Sequence, residues 1–162
     1  MALSVEPRDD QLFPTLTPAQ IDRVAAHGRR RHAAAGGVLV QAGQAEHPVF
    51  VVLAGEVEVV RATREGERVV ATHRQGQFSG EINALAGRPA LATIRAGKES
   101  DVVELRRDAL LALVQDDAEL SEILMRAFIL RRALLLDQGL GDVLVLGSEF
   151  SPRTIEIRDF LA

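Results

Sequence analysis

Short apolar runs separated by glycines fill the middle of the chain, from Arg29 to Arg106. Glutamate and valine alternate strictly over residues 56–59, which is the pattern of a strand with one solvent-exposed face and one buried face. Many short strands with regular turn signals are typical of an all-β barrel or sandwich. The predicted strands are Val38–Val40, Val49–Leu53, Glu56–Arg61, Arg68–Thr72, Leu91–Ala96 and Val102–Leu105, with hairpin turns at Ala54–Gly55 and Glu65–Gly66.

Helical signals lie on both sides of these strands. Thr17 and Gln20 have the spacing of a capping box, and Pro18 stands at the first helical position. After the strands, the pattern predicts a short helix over Arg107–Val114 and a longer helix over Asp117–Gln138 with Asp116 as its N-cap.

The apolar face of the longer helix is unusually broad. Its residues form two adjacent lines, Ile123, Ala127, Leu130 and Leu134 in one and Leu124, Phe128 and Leu135 in the other. Burial against the strands is the simpler interpretation, and a partner helix that pairs two subunits is the other. In the second interpretation, a homodimer forms through residues 117–138.

Composition narrows the class of protein. The chain has 162 residues, a net charge of −4 and no cysteine. The length suits one domain with a hydrophobic core. The absence of cysteine excludes disulfides, zinc–thiolate sites and thiol catalysis within this chain. The negative charge disfavours non-specific binding to nucleic acid. No apolar run reaches the length of a transmembrane helix, and residues 1–20 do not resemble a signal peptide, so a cytoplasmic protein is expected.

The stretch with the most chemical information is residues 76–96. After Gly80, a carboxylate at Glu81 opens about one helical turn, and Gly87 stands where that turn would end. Pro89 then forbids helix and makes Arg88 extended. Such a sequence of turns directs several backbone N–H groups to one place, which suits a phosphate or another anion.

These residues resemble the phosphate-binding cassette of cyclic nucleotide-binding domains, as in catabolite-activator-type regulators and protein kinase A regulatory subunits. Gly80-Glu81-Ile82, Leu85, Pro89 and Ala92-Thr93-Ile94 match its pattern, and residues 49–59 match a second signature of the family. The resemblance implies an antiparallel β-roll, mainly β and jelly-roll-like (a cupin-like double-stranded β-helix), with an N-terminal helix and a long C-terminal helix. It assigns residues 1–138 to this regulatory, ligand-binding domain. Because the long helix is the dimer helix of the regulators, the resemblance also implies a homodimer through residues 117–138.

The resemblance also implies the site residues. In the family, the glutamate at Glu81 accepts a hydrogen bond from the ribose, and an arginine that binds the cyclic phosphate stands at Ala90. Leu91 replaces a small or hydroxylic residue, and Arg88 is a candidate substitute cation that faces the same way as Ala90 if the chain is extended. The candidate ligand-binding residues are Gly80, Glu81, Ile82, Arg88, Ala90 and Leu91.

The expected function is a regulatory ligand-binding module with a degenerate cassette, to which cAMP and cGMP bind weakly or not at all. The alternatives are a structural or dimerisation domain that binds no ligand, and a sensor of a different small molecule. No catalysis is expected, and the spacing of His27, His32, His47 and His73 predicts solvated or locally bonded imidazoles and no metal site. Too few residues follow the long helix for a DNA-binding domain, so no DNA partner is expected.

Residues 139–162 differ in character from the rest. Val143–Gly147 is an apolar run typical of a buried strand, and Ser151-Pro152 starts a predicted helix. The segment resembles the opening of a thioredoxin- or glutaredoxin-like fold with Ser151 and Thr154 in place of the cysteines. It implies a truncated α/β unit and a larger parent protein of the thioredoxin-reductase type. FAD and NADPH would bind in that parent protein and not in this chain.

Overall fold

The computed structural model describes residues 9–80 and 84–137. A first compact unit extends to Arg131. A second begins at Arg132, and its described part is the end of the last helix, through Asp137. The predicted α/β unit at 139–162 lies outside the described residues.

The first unit begins with two helices, α1 (Asp9–Leu12) and α2 (Pro18–Ala25). The predicted capping box of α2 is confirmed. The Gln20 N–H donates to the Thr17 hydroxyl at 3.3 Å, and the Thr17 N–H donates to the Gln20 side-chain oxygen at 2.9 Å. This reciprocal pair satisfies two of the N–H groups that a helix start leaves without partners.

Eight strands follow and form two antiparallel four-stranded sheets. They are β1 (Arg29–Ala33), β2 (Val38–Val40), β3 (Val49–Ala54), β4 (Glu56–Thr63), β5 (Gly66–Arg74), β6 (Phe78–Ser79), β7 (Thr93–Ala96) and β8 (Ser100–Leu105). The first sheet has the order β1-β8-β3-β6 and the second the order β2-β7-β4-β5. The predicted fold class is confirmed as a β-roll of two antiparallel sheets with flanking helices, which does not close into a barrel.

Strand β3 is buried on both faces and separates two apolar clusters. Val49 and Val51 pack with the helices, whereas Phe50 and Val52 pack between the two sheets. A strand whose faces both meet apolar neighbours is a continuous hydrophobic run and has no alternating pattern.

One predicted turn is wrong. Ala54–Gly55 does not join a hairpin, because β3 belongs to the first sheet and β4 to the second. Gly55 has φ +85°, and a Cβ there would meet the backbone of Glu99 and Ser100, so the crossing between the sheets needs a glycine. The turn before Gly66 is confirmed, because β4 and β5 pair up to Thr63 and Gly66.

Two strands are absent from the list of strands predicted above, and one begins later than expected. β1 has the polar sequence Arg29–Ala33 and is held by pairing with β8 at the edge of the first sheet. β6 has two residues and pairs with β3. β7 begins at Thr93 and not at Leu91, because Leu91 and Ala92 belong to the loop before it.

Two helices close the described chain, α3 (Arg107–Asp116) and α4 (Ala118–Asp137). The predicted cap of α4 was one residue off: the carboxylate of Asp117 accepts the Leu120 N–H at 3.0 Å, whereas Asp116 is the last residue of α3. Asp117 also accepts a hydrogen bond from Arg23 at 2.7 Å, which ties α4 to α2. Among residues 9–80 and 84–137, no helix has both the length and the hydropathy to cross a membrane.

Candidate ligand-binding site

The candidate cassette connects β6 of the first sheet to β7 of the second. It starts at Gly80, which has φ +94°, and a Cβ at this position would come within 2.9 Å of the Pro48 carbonyl oxygen. Only glycine combines this conformation with this close approach. Gly80 therefore sets the path of the chain into the cassette, as the sequence pattern predicted.

The second glycine of the cassette closes a turn. The Gly87 N–H donates to the carbonyl of Ala84 at 3.2 Å, and Gly87 has φ +65°. This is the left-handed conformation predicted for it. Glu81, Ile82 and Asn83 lie outside the described residues, so the ribose contact of Glu81 and the ligand contact of Ile82 stay predictions.

Ala90 is joined by its backbone to the loop after β2. Its N–H donates to the carbonyl of Gln44 at 2.9 Å, and its own carbonyl accepts the Gly43 N–H at 2.8 Å. Both backbone groups of Ala90 are therefore used inside the protein. The side chain is the only part of this residue that remains for a ligand.

The methyl group of Ala90 is 8% exposed and packs in the apolar cluster between the sheets, with Leu39, Phe50 and Ile94. This cluster is the inter-sheet core. The position where the family carries its phosphate-binding arginine thus faces an apolar interior. A side chain of any length added here extends into that interior.

The residues after Ala90 complete the loop. Leu91 is exposed and Ala92 is buried. The Thr93 hydroxyl accepts the Ala42 N–H at 3.2 Å, a second link between the cassette and the loop after β2. In this arrangement, the oxygen of the Thr93 hydroxyl is an acceptor for the protein backbone.

Arg88 and Ala90 do not share a face. Arg88 is half-buried and lines a cleft with His47 and Arg107, while Ala90 packs between the sheets. Of the candidate residues, Gly80 begins the connection from β6 to β7 and Ala90 lies near the end of that connection. Arg88 lies at a separate concave surface.

Sequence reasoning missed a buried cation. Arg131 is 5% exposed and donates to the carbonyls of Leu12 at 2.6 Å and Phe78 at 3.0 Å. Its guanidinium carbon lies 5.0 Å from the ring centre of Phe13 and 4.6 Å from that of Phe78. A signal was present, since Arg131 continues the apolar line of Leu124 and Phe128 at helical spacing.

Burial also changes the chemistry of a histidine near this cation. Desolvation, with a smaller contribution from the charge of Arg131, lowers the pKa of His73 to about 3. His73 and His47 are both buried, which corrects the prediction of solvated imidazoles. His32 is exposed and bonded to Asp101 at 2.8 Å, as predicted. Within the described ranges, no cluster of three or more His, Cys, Asp or Glu side chains is placed to hold a metal ion.

The outer face of the second sheet carries an ion-pair network. Arg95 on β7 donates to Glu58 on β4 at 3.1 Å and to Glu67 on β5 at 2.9 Å. Those hydrogen bonds raise the pKa of Arg95. This arginine is thus engaged with carboxylates on the outer face, across the sheet from the methyl group of Ala90.

Comparison with known proteins identifies the family. The model of the cyclic nucleotide-binding domain matches residues 30–117, more than half of the chain. Among solved structures, the Thermus thermophilus catabolite activator protein has a TM-score of 0.66 and 26% identity, over 80% of this chain and 61% of its own. A protein solved in a study of a cyclic-GMP-dependent pathway of bacterial phytopathogenesis has a TM-score of 0.64 and 26% identity, over 74% of this chain and 96% of its own.

Curated relatives are much longer than this chain. The potassium channel AKT2 of Oryza sativa subsp. japonica is 34% identical over 108 residues, which are 66% of this chain and 12% of the channel. The cAMP-dependent protein kinase regulatory subunit of Mycosarcoma maydis is 28% identical over 98 residues, 60% of this chain and 19% of that subunit. The chain thus spans less than a fifth of either relative. On the match of the family model over residues 30–117, this chain belongs to the cyclic nucleotide-binding domain family.

Proposed function

We propose that this domain is a regulatory module whose cassette is degenerate, so that cAMP and cGMP bind weakly or not at all. The observation that carries the proposal is the methyl group of Ala90, which packs in the inter-sheet core where the family places a cation. Cyclic nucleotides are the class of ligand to test first, since a relative from Mycosarcoma maydis is named a cAMP-dependent kinase subunit.

The size of the effect follows from the charge of the phosphate. A hydrogen bond to a charged group contributes about 1.5–3 kcal/mol, and an anion taken out of water needs a compensating charge. Ala90 supplies neither. Since about 1.4 kcal/mol is a factor of ten in affinity, the missing arginine weakens cyclic nucleotide binding by roughly ten- to a hundredfold.

The test restores the missing charge. Calorimetric titration of the unmodified protein with cAMP and cGMP should give no saturable signal at micromolar concentrations. The variant Ala90→Arg with Leu91→Ala should bind cAMP at least about tenfold more tightly, because a bidentate contact to the phosphate is regained. A matched control, Ala90→Met with Leu91→Ala, adds a long side chain without charge and should not bind more tightly.

The outcomes separate the causes. Sub-micromolar binding by the unmodified protein would falsify the argument from Ala90 and would favour Arg88 as the substitute cation. Failure of both proteins to bind, with folding of the variant verified by circular dichroism, would mean that the pocket has diverged beyond its phosphate end. A sensor of a different small molecule would then be the better description.

A structural or dimerisation role is the second candidate function. Met125 and Ile129 on α4 are 36% and 64% exposed, and exposed apolar side chains on one helix favour a helical partner. Sedimentation equilibrium of the chain tests this role. A dimer at tens of micromolar that Ile129→Glu dissociates supports it, and a monomer at that concentration contradicts it.

The parent protein is a further proposal, and it rests on sequence resemblance alone. We infer a cytoplasmic, thioredoxin-reductase-like protein that binds FAD and NADPH beyond residue 162, with this domain as its N-terminal regulatory part. The support is the pattern of residues 139–162, which lie outside the described residues. Reading the gene beyond Ala162 tests it: a dinucleotide-binding glycine motif followed by a Cys-x-x-Cys pair supports it, and a stop codon contradicts it.

A further inference from the structure

Strand β5 forms one edge of the second sheet. Its nine residues, Gly66–Arg74, pair with β4 on one side. Within the described ranges no strand pairs with its other side, because β5 ends the strand order of its sheet. The outward N–H and C=O groups along an edge can pair with a further strand. At the end of the edge, the Arg74 N–H donates to the Gln77 side chain at 2.8 Å, so the part open to pairing precedes Arg74.

We propose that β5 pairs with β5 of a second copy of this chain, antiparallel and about a two-fold axis between Val70 and Ala71. In this register, Glu67 lies opposite Arg74 of the partner subunit. The interface is separate from α4 and from the cassette, so the proposal rests on neither of the functions proposed above.

Exposed apolar side chains are the first observation. Val69 and Val70 are 43% and 46% exposed, and they lie next to each other on the edge strand. β-Branched side chains are favourable in strands because they pack against neighbours on adjacent strands. At the edge, these two valines have such neighbours on one side only. A second strand would provide them on the other side.

A β-bulge in β5 is the second observation. The pairing with β4 places Val69 opposite Val60 and Ala71 opposite Val59, which leaves Val70 without an opposite residue. Side chains of a regular strand alternate between the two faces of a sheet. One extra residue therefore reverses the alternation for every residue that follows it.

The bulge places Glu67 and Arg74 on the same face of the sheet. Glu67 accepts a hydrogen bond from Arg95 on the outer face at 2.9 Å. Arg74 lies opposite Glu56, with 3.5 Å between its Nε and a carboxylate oxygen, and Glu56 alternates to the same face as Glu58. The side chains of Glu67 and Arg74 are both largely exposed. Each therefore has room for a second partner of opposite charge.

The proposed register matches both charge and face. A two-fold axis repeats every contact, so the dimer contains two contacts between Glu67 of one chain and Arg74 of the other. It also places Val69 opposite Thr72 of the partner subunit, and both residues are exposed. Because β5 supplies both members of the charge pair, a second copy of this chain fits the edge without any other protein.

Neighbouring registers are unfavourable. A shift by one residue in one direction places Arg68 opposite Arg74, two like charges on different faces. A shift in the other direction places the exposed Glu67 opposite the buried His73. The bulge and the charges therefore select the same register. Since the edge of a single strand is small compared with a stable interface, we expect a weak dimer, with a dissociation constant of about hundreds of micromolar.

Disulfide cross-linking tests the register, since the chain has no cysteine of its own. The variant Val69→Cys with Thr72→Cys should form a covalent dimer under mild oxidation, because opposite positions of paired strands are within disulfide reach. Within one chain the two positions are about 10 Å apart along the strand, too far for a bridge. Arg68→Cys with Thr72→Cys is the matched control and should cross-link at least about tenfold more slowly, because these positions are opposite only in a shifted register.

Sedimentation equilibrium up to about 1 mM, with Ile129→Glu in every protein to remove any pairing of α4, tests the charges. Glu67→Arg should weaken the dimer at least about fivefold, because it creates two like-charge contacts, and adding Arg74→Glu should restore most of the loss. Glu65→Arg makes the same charge change in the turn before β5 and should have no effect beyond about twofold. Circular dichroism verifies that each variant is folded.

Three results would overturn the proposal. The first is a monomer at every concentration, and the second is equal cross-linking of the two cysteine pairs. The third is association that Glu67→Arg leaves unchanged or that Arg74→Glu does not restore in the double variant, because the contact would then lie elsewhere. None of these results depends on cyclic nucleotide binding, so they are independent of the Ala90→Arg experiment.

Discussion

Arg131 holds Phe78 in two ways: it donates to the Phe78 carbonyl at 3.0 Å, and its guanidinium carbon lies 4.6 Å from the centre of the Phe78 ring. Phe78 is the first residue of β6 and stands two residues before Gly80. The entry to the cassette is therefore attached to α4 through one buried cation.

Replacing Arg131 by methionine should destabilise the domain by about 2–4 kcal/mol. The change removes cation–π contacts and leaves the buried carbonyls of Leu12 and Phe78 without their donor. Urea unfolding monitored by circular dichroism measures the loss. Arg126→Met, on the same helix but exposed, is the control and should change the stability by less than about 0.5 kcal/mol. Equal effects of the two variants would contradict this role for Arg131.

Acid should destabilise the domain through His73. Its pKa is about 3 in the folded state and near 6.5 when the chain is unfolded, so the unfolded chain takes up the proton first as the pH falls. The stability that the neutral imidazole supports is present above pH 6.5 and is lost as the pH falls towards 3. Between pH 7 and pH 5 this group alone should lower the free energy of unfolding by about 2 kcal/mol.

His73→Phe keeps a ring beside Phe13 and should flatten the dependence of stability on pH over this range. His32→Gln is a control of opposite sign. The hydrogen bond to Asp101 raises the pKa of His32, so its contribution is present at low pH and is lost as the pH rises. If His73→Phe left the slope between pH 7 and pH 5 unchanged, burial of a neutral His73 would not be its cause.

Gly80→Ala should destabilise the domain more than Gly36→Ala. Both glycines have positive φ, +94° and +80°, so both variants acquire backbone strain of about 1–3 kcal/mol. Only at Gly80 does the new Cβ meet a backbone atom, the Pro48 oxygen at 2.9 Å, while nothing lies within 4 Å at Gly36. Thermal unfolding of the two variants measures the difference, and equal losses would mean that the approach to Pro48 has no energetic weight.

The cap of α4 can be assigned by a pair of neighbouring variants. Asp117→Ala removes the acceptor of the Leu120 N–H and the partner of Arg23, and it should lower the midpoint of urea unfolding. Asp116→Ala should leave the midpoint close to that of the unmodified protein. The pKa of Asp117 is lowered, chiefly by the hydrogen bond from Arg23, so its stabilising effect is present at neutral pH and lost in acid. A larger effect at Asp116 would restore the cap assignment made from the sequence.

The sequence by itself determined most of the local structure. The strands β2, β3 and β8 follow from short apolar runs, β4 follows from the alternation of glutamate and valine, and the start of α2 follows from Thr17 and Gln20. Gly87 adopts positive φ, as its position after the predicted helical turn indicated. These features depend on backbone preferences and on neighbours a few residues away, which a linear pattern contains.

Pairing over long distances was decided only by the tertiary structure. β1 is a strand because Arg29–Ala33 pairs with β8, although its own sequence is polar. Ala54–Gly55 crosses between sheets for the same reason: β3 and β4 each find their hydrogen-bond partners in a different sheet. Strand pairing depends on residues far apart in the chain, so the pattern around a turn cannot distinguish a hairpin from a crossing.

Placement of single side chains was decided in the same way. The sequence indicated that Ala90 lacks the family's arginine, and the fold shows that its methyl group faces the inter-sheet core while Arg88 lines another surface. Arg131 appeared in the sequence as one charge on an apolar helix face. It is buried because the rings of Phe13 and Phe78 and two carbonyl oxygens come from segments more than fifty residues away. Compensation of a buried charge requires partners that only the folded chain brings together.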